Sequence, residues 1–145
     1  MMKVEAGNML AARFTAVGLR LVEEDVPQLG PGEILIKVKA VGVCGTDAHI
    51  IKGESASTVP VILGHEYAGE VVAVGEGVTS FEVNDRVCVD PNIYCYSCYY
   101  CHNGKVHLCS NLTALSVDID GGFAEYSVLP AAQAHLLPPD ISFAE

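Results

Sequence analysis

The stretch Cys95-Tyr96-Ser97-Cys98-Tyr99-Tyr100-Cys101-His102-Asn103-Gly104-Lys105-Val106-His107-Leu108-Cys109 places four cysteines in fifteen positions, spaced Cys95-x2-Cys98-x2-Cys101-x7-Cys109. Zinc accepts thiolate sulfur tetrahedrally at about 2.3 Å, and two-residue gaps let a tight turn aim successive sulfurs at one point. Cys95, Cys98 and Cys101 supply one arm of such a site, and Cys109 closes it. The flanks, Pro91-Asn92-Ile93-Tyr94 before and His102-Asn103-Gly104-Lys105 within, offer turn residues and no long apolar period. A segment of this kind has no core of its own, so a metal is expected to fold it.

Two disulfides could use the same residues, but Cys-x2-Cys gaps make poor structural bridges and nothing marks the chain as secreted. A [4Fe–4S] cluster is the sharper competitor. Its usual run has three residues before the last cysteine and a proline after it, whereas seven residues separate Cys101 from Cys109 here and Ser110 follows. Zinc is the favoured occupant. Four thiolates fill its shell and leave no position for water or substrate, so the site at 91–111 is expected to be structural.

At 145 residues the chain has the length of one domain with a real core. Half of it is apolar and 18% is charged, a composition that argues against disorder. The net charge of −10 disfavours nucleic acid and an anionic membrane surface, both of which select clustered Lys and Arg. Met1 to Met9 carries Lys3, Glu5 and Asn8 where a secretory leader needs an apolar run, and no run approaches the ~20 residues of a membrane span. A reducing cytoplasm is the expected setting.

Along the chain, Leu10–Ala16 and Leu19–Glu24 read as strands joined at Gly18, and Pro27, Gly30, Pro31 and Gly32 form a turn cluster. Glu33–Val43 alternates as a half-buried strand, followed by a short helical turn over Asp47–Ile51. Tyr67–Val74 reads as a strand, and Arg86–Val89 as a buried strand with Cys88 as an inert core residue. Gly75-Glu76-Gly77 mimics a dinucleotide fingerprint, but Ser80 occupies the third glycine position and Phe81-Glu82-Val83-Asn84-Asp85 does not open a helix. A hairpin turn is the better reading. Gly121-Gly122 releases a last strand, Phe123–Leu129, before Pro130, Pro138 and Pro139 interrupt the chain. Short strands and Gly/Pro turns with no long amphipathic helix predict a compact β-barrel or strongly bent sheet.

A second constellation lies in two Gly-flanked loops, each after a strand: Cys44, and the pair His65-Glu66. Thiolate, imidazole and carboxylate are the ligand types of zinc, and three protein ligands with an open position define a catalytic site. Thr46 and His49 follow Cys44 closely, a hydroxyl and an imidazole able to carry a proton to solvent. Asp47 has two readings: partner of the second nitrogen of His65, or cap of a helix N-terminus.

These residues resemble the zinc-dependent medium-chain alcohol/polyol dehydrogenases. The resemblance rests on Gly42-Val43-Cys44-Gly45-Thr46-Asp47-Ala48-His49, Gly64-His65-Glu66-Tyr67-Ala68-Gly69-Glu70-Val71-Val72, the four-cysteine segment, and Gly121-Gly122-Phe123-Ala124-Glu125-Tyr126, in the family's order. It implies a mainly β, GroES-like bent barrel over 1–145, the N-terminal part of a catalytic domain, with Cys95, Cys98, Cys101 and Cys109 on structural zinc. It implies Cys44, His65 and Glu66 at the catalytic zinc, Thr46 as the hydroxyl that takes the alcohol proton, His49 as relay and Asp47 behind the histidine ligand. The chemistry implied is oxidation of a small-molecule alcohol or polyol by hydride transfer to NAD or NADP, in a homo-dimer or tetramer when full-length. Family members continue into a Rossmann domain, and a further zinc ligand is expected a few residues past Glu145. No Gly-x-Gly-x-x-Gly strand–helix turn occurs in this chain, so the fragment alone is expected to be inactive. A free-standing zinc module with a structural or partner-binding role is the alternative.

Overall fold

The computed structural model describes residues 7–145; Lys3 and Glu5, on which the reading of the N-terminus partly rests, lie outside them. The strands are β1 (Asn8–Thr15), β2 (Gly18–Asp25), β3 (Glu33–Gly42), β4 (Val61–Ile62), β5 (Glu66–Val74), β6 (Arg86–Val89), β7 (Asn92–Ile93), β8 (Thr113–Ala114), β9 (Tyr126–Pro130) and β10 (Ala134–Leu136). Two short α-helices interrupt them, α1 (Gly45–Ile51) and α2 (Tyr99–His102). The order β10-β6-β5-β3-β9 makes one antiparallel sheet, β2-β1-β4 a second, and β7-β8 a two-stranded ladder. None of the described helices is long and apolar enough to cross a membrane.

The first hairpin turns at Ala16-Val17, and Gly18 opens β2 with φ +102°, a conformation that favours glycine. Arg13 holds this hairpin to the far end of the chain, pairing with Glu24 at 2.9 Å and Asp120 at 3.0 Å, while Asp120 also accepts the Ile62 N–H at 2.8 Å.

β3 departs from the expected alternation. Ile34, Leu35 and Ile36 are all fully buried, because the strand is covered on both faces. Ile34 and Ile36 join Tyr67, Val71, Val87, Leu115 and Leu129 in one cluster, and Leu35 joins Met9, Val26, Ile62 and Ala73 in another. Its pairing with β5 slips between Leu35 and Ile36 and again between Val38 and Ala40. Such bulges bend a strand pair and increase its twist.

The segment 123–125, expected to be strand, is instead the seam between the two sheets. The Phe123 carbonyl accepts the Ala12 N–H at 2.7 Å, the Glu125 N–H donates to the Leu10 carbonyl at 3.0 Å, and the Glu125 carbonyl accepts the Val38 N–H at 2.9 Å. Glu125 Oε2 also accepts the Leu10 N–H at 2.8 Å. One residue thus joins β1 to β3, and regular pairing with β3 starts only at Tyr126.

β6 is less buried than expected. Val87 alone is buried; it and Val89 face the core cluster, and Cys88, pointing to the opposite face, is half-buried. Gly75-Glu76-Gly77 does reverse the chain, since β5 and β6 are antiparallel partners, but through the longer connection 75–85, from which Phe81 enters the core.

Tyr67 sits in that core with its hydroxyl 2.9 Å from Ser127 Oγ, and burial pushes its phenol up from 10 to about 12 against the opposing effect of that hydrogen bond. The folded state therefore holds the phenol proton more tightly than the unfolded chain. This contribution is complete below pH ~10 and is lost as pH rises toward 12, amounting to about 3 kcal/mol. Tyr67→Phe is expected to remove that part of the alkaline loss, measured as urea-unfolding stability from pH 9 to 12. An alkaline slope identical to that of the unsubstituted protein would contradict it.

Candidate metal centres

The β7-β8 ladder, Asn92 with Ala114 and Ile93 with Thr113, closes the base of a lobe holding α2 and the four cysteines. No residue from 95 to 112 is buried; the cysteines and Val106 are half-buried. The sulfurs approach one another at 3.4 Å (Cys95–Cys109), 3.5 Å (Cys98–Cys101) and 4.0 Å (Cys95–Cys101), and all four lie within 4.8 Å. Bonds of about 2.3 Å at tetrahedral angles require sulfurs about 3.8 Å apart, so the set fits one zinc ion.

Backbone amides point at this cage. The Ser97 N–H and hydroxyl draw the Cys95 thiol down to about 5, and the N–H groups of Cys101 and Ser110 lower Cys98. Withdrawal from solvent, then the adjoining Cys98 sulfur, push Cys101 up to about 12. Backbone N–H groups thus favour the thiolate at Cys95 and Cys98, the form that ligates a metal.

The second set is assembled by strand register. β3 and β5 pair so that Gly42 faces Glu66, which brings the exit of one strand beside the entrance of the other. Cys44 follows β3 as the residue capping α1, and His65 precedes β5 after Gly64 at φ +85°. One donor atom each from Cys44, His65 and Glu66 lies within 4.8 Å of the others. A Cβ on Gly42 would stand 2.9 Å from Glu66 Oε2, so glycine there leaves the carboxylate its space. Two half-buried donors and one exposed carboxylate are one donor short of a tetrahedral shell, a set that fits zinc in a catalytic rather than a closed arrangement.

Asp47, 1% exposed, is not the cap of α1 but its third residue, and it links the loops of Cys44 and Gly64. Its Oδ2 accepts the Cys44 N–H at 2.9 Å, closing the start of α1, and its Oδ1 accepts the Gly64 N–H at 3.2 Å. That carboxylate ties the two ligand loops together. Its Oδ1 is 3.7 Å from His65 Nδ1, while Ser116 Oγ is nearer at 3.1 Å. Thr46 Oγ1 is 3.6 Å from Cys44 Sγ. His49, three residues along α1 and so on the same side, is exposed with Nδ1 2.6 Å from Glu54 Oε2.

Ser116 and Glu54 were not among the expected site residues. Glu54 carries a weak signal, a carboxylate five residues after a candidate relay. Ser116 carries none, because it reaches His65 through a turn fifty-one residues away.

The sequence pattern of the alcohol dehydrogenase GroES-like domain matches residues 30–139. The chain belongs to that family. L-threonine 3-dehydrogenase of Pyrococcus abyssi is 50% identical over 130 residues, spanning 87% of this chain and 37% of that protein. The thermostable alcohol dehydrogenase of Pyrobaculum aerophilum, solved with cobalt and zinc, superposes with a TM-score of 0.87 at 36% identity, over 96% of this chain and 44% of that one. The short chain alcohol dehydrogenase RspB of Escherichia coli CFT073, solved with NADH, also gives 0.87, at 40% identity over 94% of this chain and 40% of that one. This GroES-like chain therefore spans less than half the length of the relatives it matches, and its mainly β barrel is the fold they share.

Proposed function

We propose that this GroES-like chain is the N-terminal catalytic-domain portion of a zinc-dependent, NAD- or NADP-linked dehydrogenase that oxidises a small secondary alcohol to a ketone. The observation that carries the reading is the convergence of Cys44, His65 and Glu66 at the paired ends of β3 and β5. These three residues would hold the catalytic zinc, and Cys95, Cys98, Cys101 and Cys109 the structural one. Zinc at the first set supplies Lewis acidity that makes a nearby hydroxyl more acidic. Thr46, beside Cys44, would take the substrate's hydroxyl proton while its own hydroxyl proton moves on. His49, with Nδ1 held by Glu54, would accept a proton at Nε2 and return it to solvent. Asp47 keeps the two ligand loops in register.

The nicotinamide cofactor would be held by residues other than these, since no Gly-x-Gly-x-x-Gly strand–helix turn occurs in the sequence. For the substrate, a polyol and a β-hydroxy amino acid both present a secondary hydroxyl flanked by polar groups. The threonine dehydrogenases among the relatives make L-threonine the first compound to test, with sugar alcohols next. A reducing cytoplasm suits the free thiols.

Elemental analysis of the full-length protein tests this reading. Two zinc ions per chain are expected, and Cys44→Ser should remove one and lower alcohol oxidation by at least about 1,000-fold while leaving the thermal midpoint nearly unchanged. A single zinc per chain that Cys44→Ser does not disturb would overturn it.

A further inference from the structure

Ser116 combines features that a connecting turn does not need. It is fully buried, it is one of three described non-glycine residues with positive φ, at +70°, and its hydroxyl lies 3.1 Å from His65 Nδ1. A side chain in the left-handed region persists only where its surroundings enforce it. Here the enforcement comes from several directions. The Leu115 N–H donates to the Pro91 carbonyl at 2.9 Å, the Ser116 N–H to the Ile119 carbonyl at 2.7 Å, and Asp118 Oδ2 accepts the Ala114 N–H at 2.7 Å. Gly121 packs so closely that a Cβ on it would lie 2.5 Å from the Ser116 Cβ.

We propose that Ser116 is a positioning residue for His65: its hydroxyl oxygen accepts the Nδ1–H, which fixes the ring's orientation and keeps the Nε2 lone pair free to bind metal. This rests on the reading of Cys44, His65 and Glu66 as a metal centre. An imidazole can ligate only through an unprotonated nitrogen, and the hydrogen bond made by its other nitrogen selects which one that is. Asp47 is the obvious candidate for that bond from the sequence. Its carboxylate, however, is already committed to the N–H groups of Cys44 and Gly64 and stands farther from the ring than Ser116 does. Asp47 positions the loops, and Ser116 positions the imidazole.

The informative substitution is Ser116→Gly, because glycine accepts φ +70° without strain and removes only the hydroxymethyl group. Protein whose four-cysteine lobe already holds zinc is titrated with Co²⁺, and the visible absorption that disappears in Cys44→Ser reports the second centre. Ser116→Gly should weaken cobalt binding there by about 10- to 100-fold without lowering the thermal midpoint. In the metal-free second site, ¹⁵N–¹H correlation of the imidazole should show one tautomer, Nδ1–H, in the unsubstituted protein and a mixture in Ser116→Gly and Ser116→Ala.

Unchanged cobalt affinity in Ser116→Gly, or an Nε2–H ring in the unsubstituted protein, would overturn the role of Ser116 and leave the metal centre standing. Absence of any Cys44-dependent cobalt signal in the unsubstituted protein would overturn the metal centre itself, and the inference with it.

Discussion

Cys98→Ser is expected to unfold the segment 95–109 while leaving the barrel folded. No residue of the lobe from 95 to 112 is buried, and α2 spans only Tyr99–His102, far too short to persist alone. Its order must come from the four sulfurs gathered within 4.8 Å, where a structural zinc contributes on the order of 10–16 kcal/mol of apparent binding free energy in small peptides. Removing Cys98 also removes one of the two thiols already drawn toward thiolate by backbone N–H groups. The expected result is loss of one zinc per chain and rapid proteolysis within 95–109. Wild-type zinc content together with wild-type protease resistance would refute the assignment of the lobe to metal. Because thiolates are the ligands, metal uptake by the unsubstituted lobe should strengthen as pH rises, with proton release on binding.

The second large effect belongs to Gly121→Ala. A Cβ there would lie 2.3 Å from the Gly64 carbonyl oxygen, 2.5 Å from the Ser116 Cβ and 2.9 Å from the Leu63 carbonyl oxygen. Two of these three atoms are backbone, so no side chain can rotate away. Gly121 also donates its N–H to the Ile62 carbonyl at 2.8 Å and Gly122 donates to Gly64, so the strand leading to His65 is held from the same place. Overpacking of this kind costs about 3 kcal/mol. Urea unfolding should show that loss, and the affinity of the Cys44 centre for cobalt should fall with it, since the displaced atoms flank His65. A substitution that leaves both unchanged would mean the close approach at Gly121 relaxes freely.

Much of this arrangement can be read from the residues. The cysteine spacing announces four sulfurs gathered at one point, and β5 and β6 begin and end within a residue of where their β-branched runs do. Helix α1 starts two residues before the expected Asp47–Ile51, because Cys44 is its N-cap and Asp47, as its third residue, reaches back to the Cys44 N–H. Alternation misled at β3 because period-2 patterning assumes one wet face, and Leu35 faces a second apolar cluster instead. Phe123-Ala124-Glu125 looks like strand by composition, yet its hydrogen bonds are divided between β1 and β3. Cys88 is half-buried because it points to the face opposite Val87, away from the main core cluster. Ser116 was invisible for a different reason: its importance lies in a backbone angle and a distance to His65, and neither has a local sequence signature.

The seam at Glu125 also bears on how the chain is made. Leu10 and Glu125 stand 115 positions apart, and their three hydrogen bonds with each other and with Val38 join the two sheets. A ribosome adding about 5–20 residues per second leaves β1 without that partner for roughly 6 to 23 seconds after it emerges. During that interval Met9 and Ala11 can be covered by β2 and then by Leu35, Ile62 and Ala73 as these emerge, but the edge of β1 that meets Phe123 and Glu125 stays unpaired. Closure of that seam is consequently a late event of synthesis.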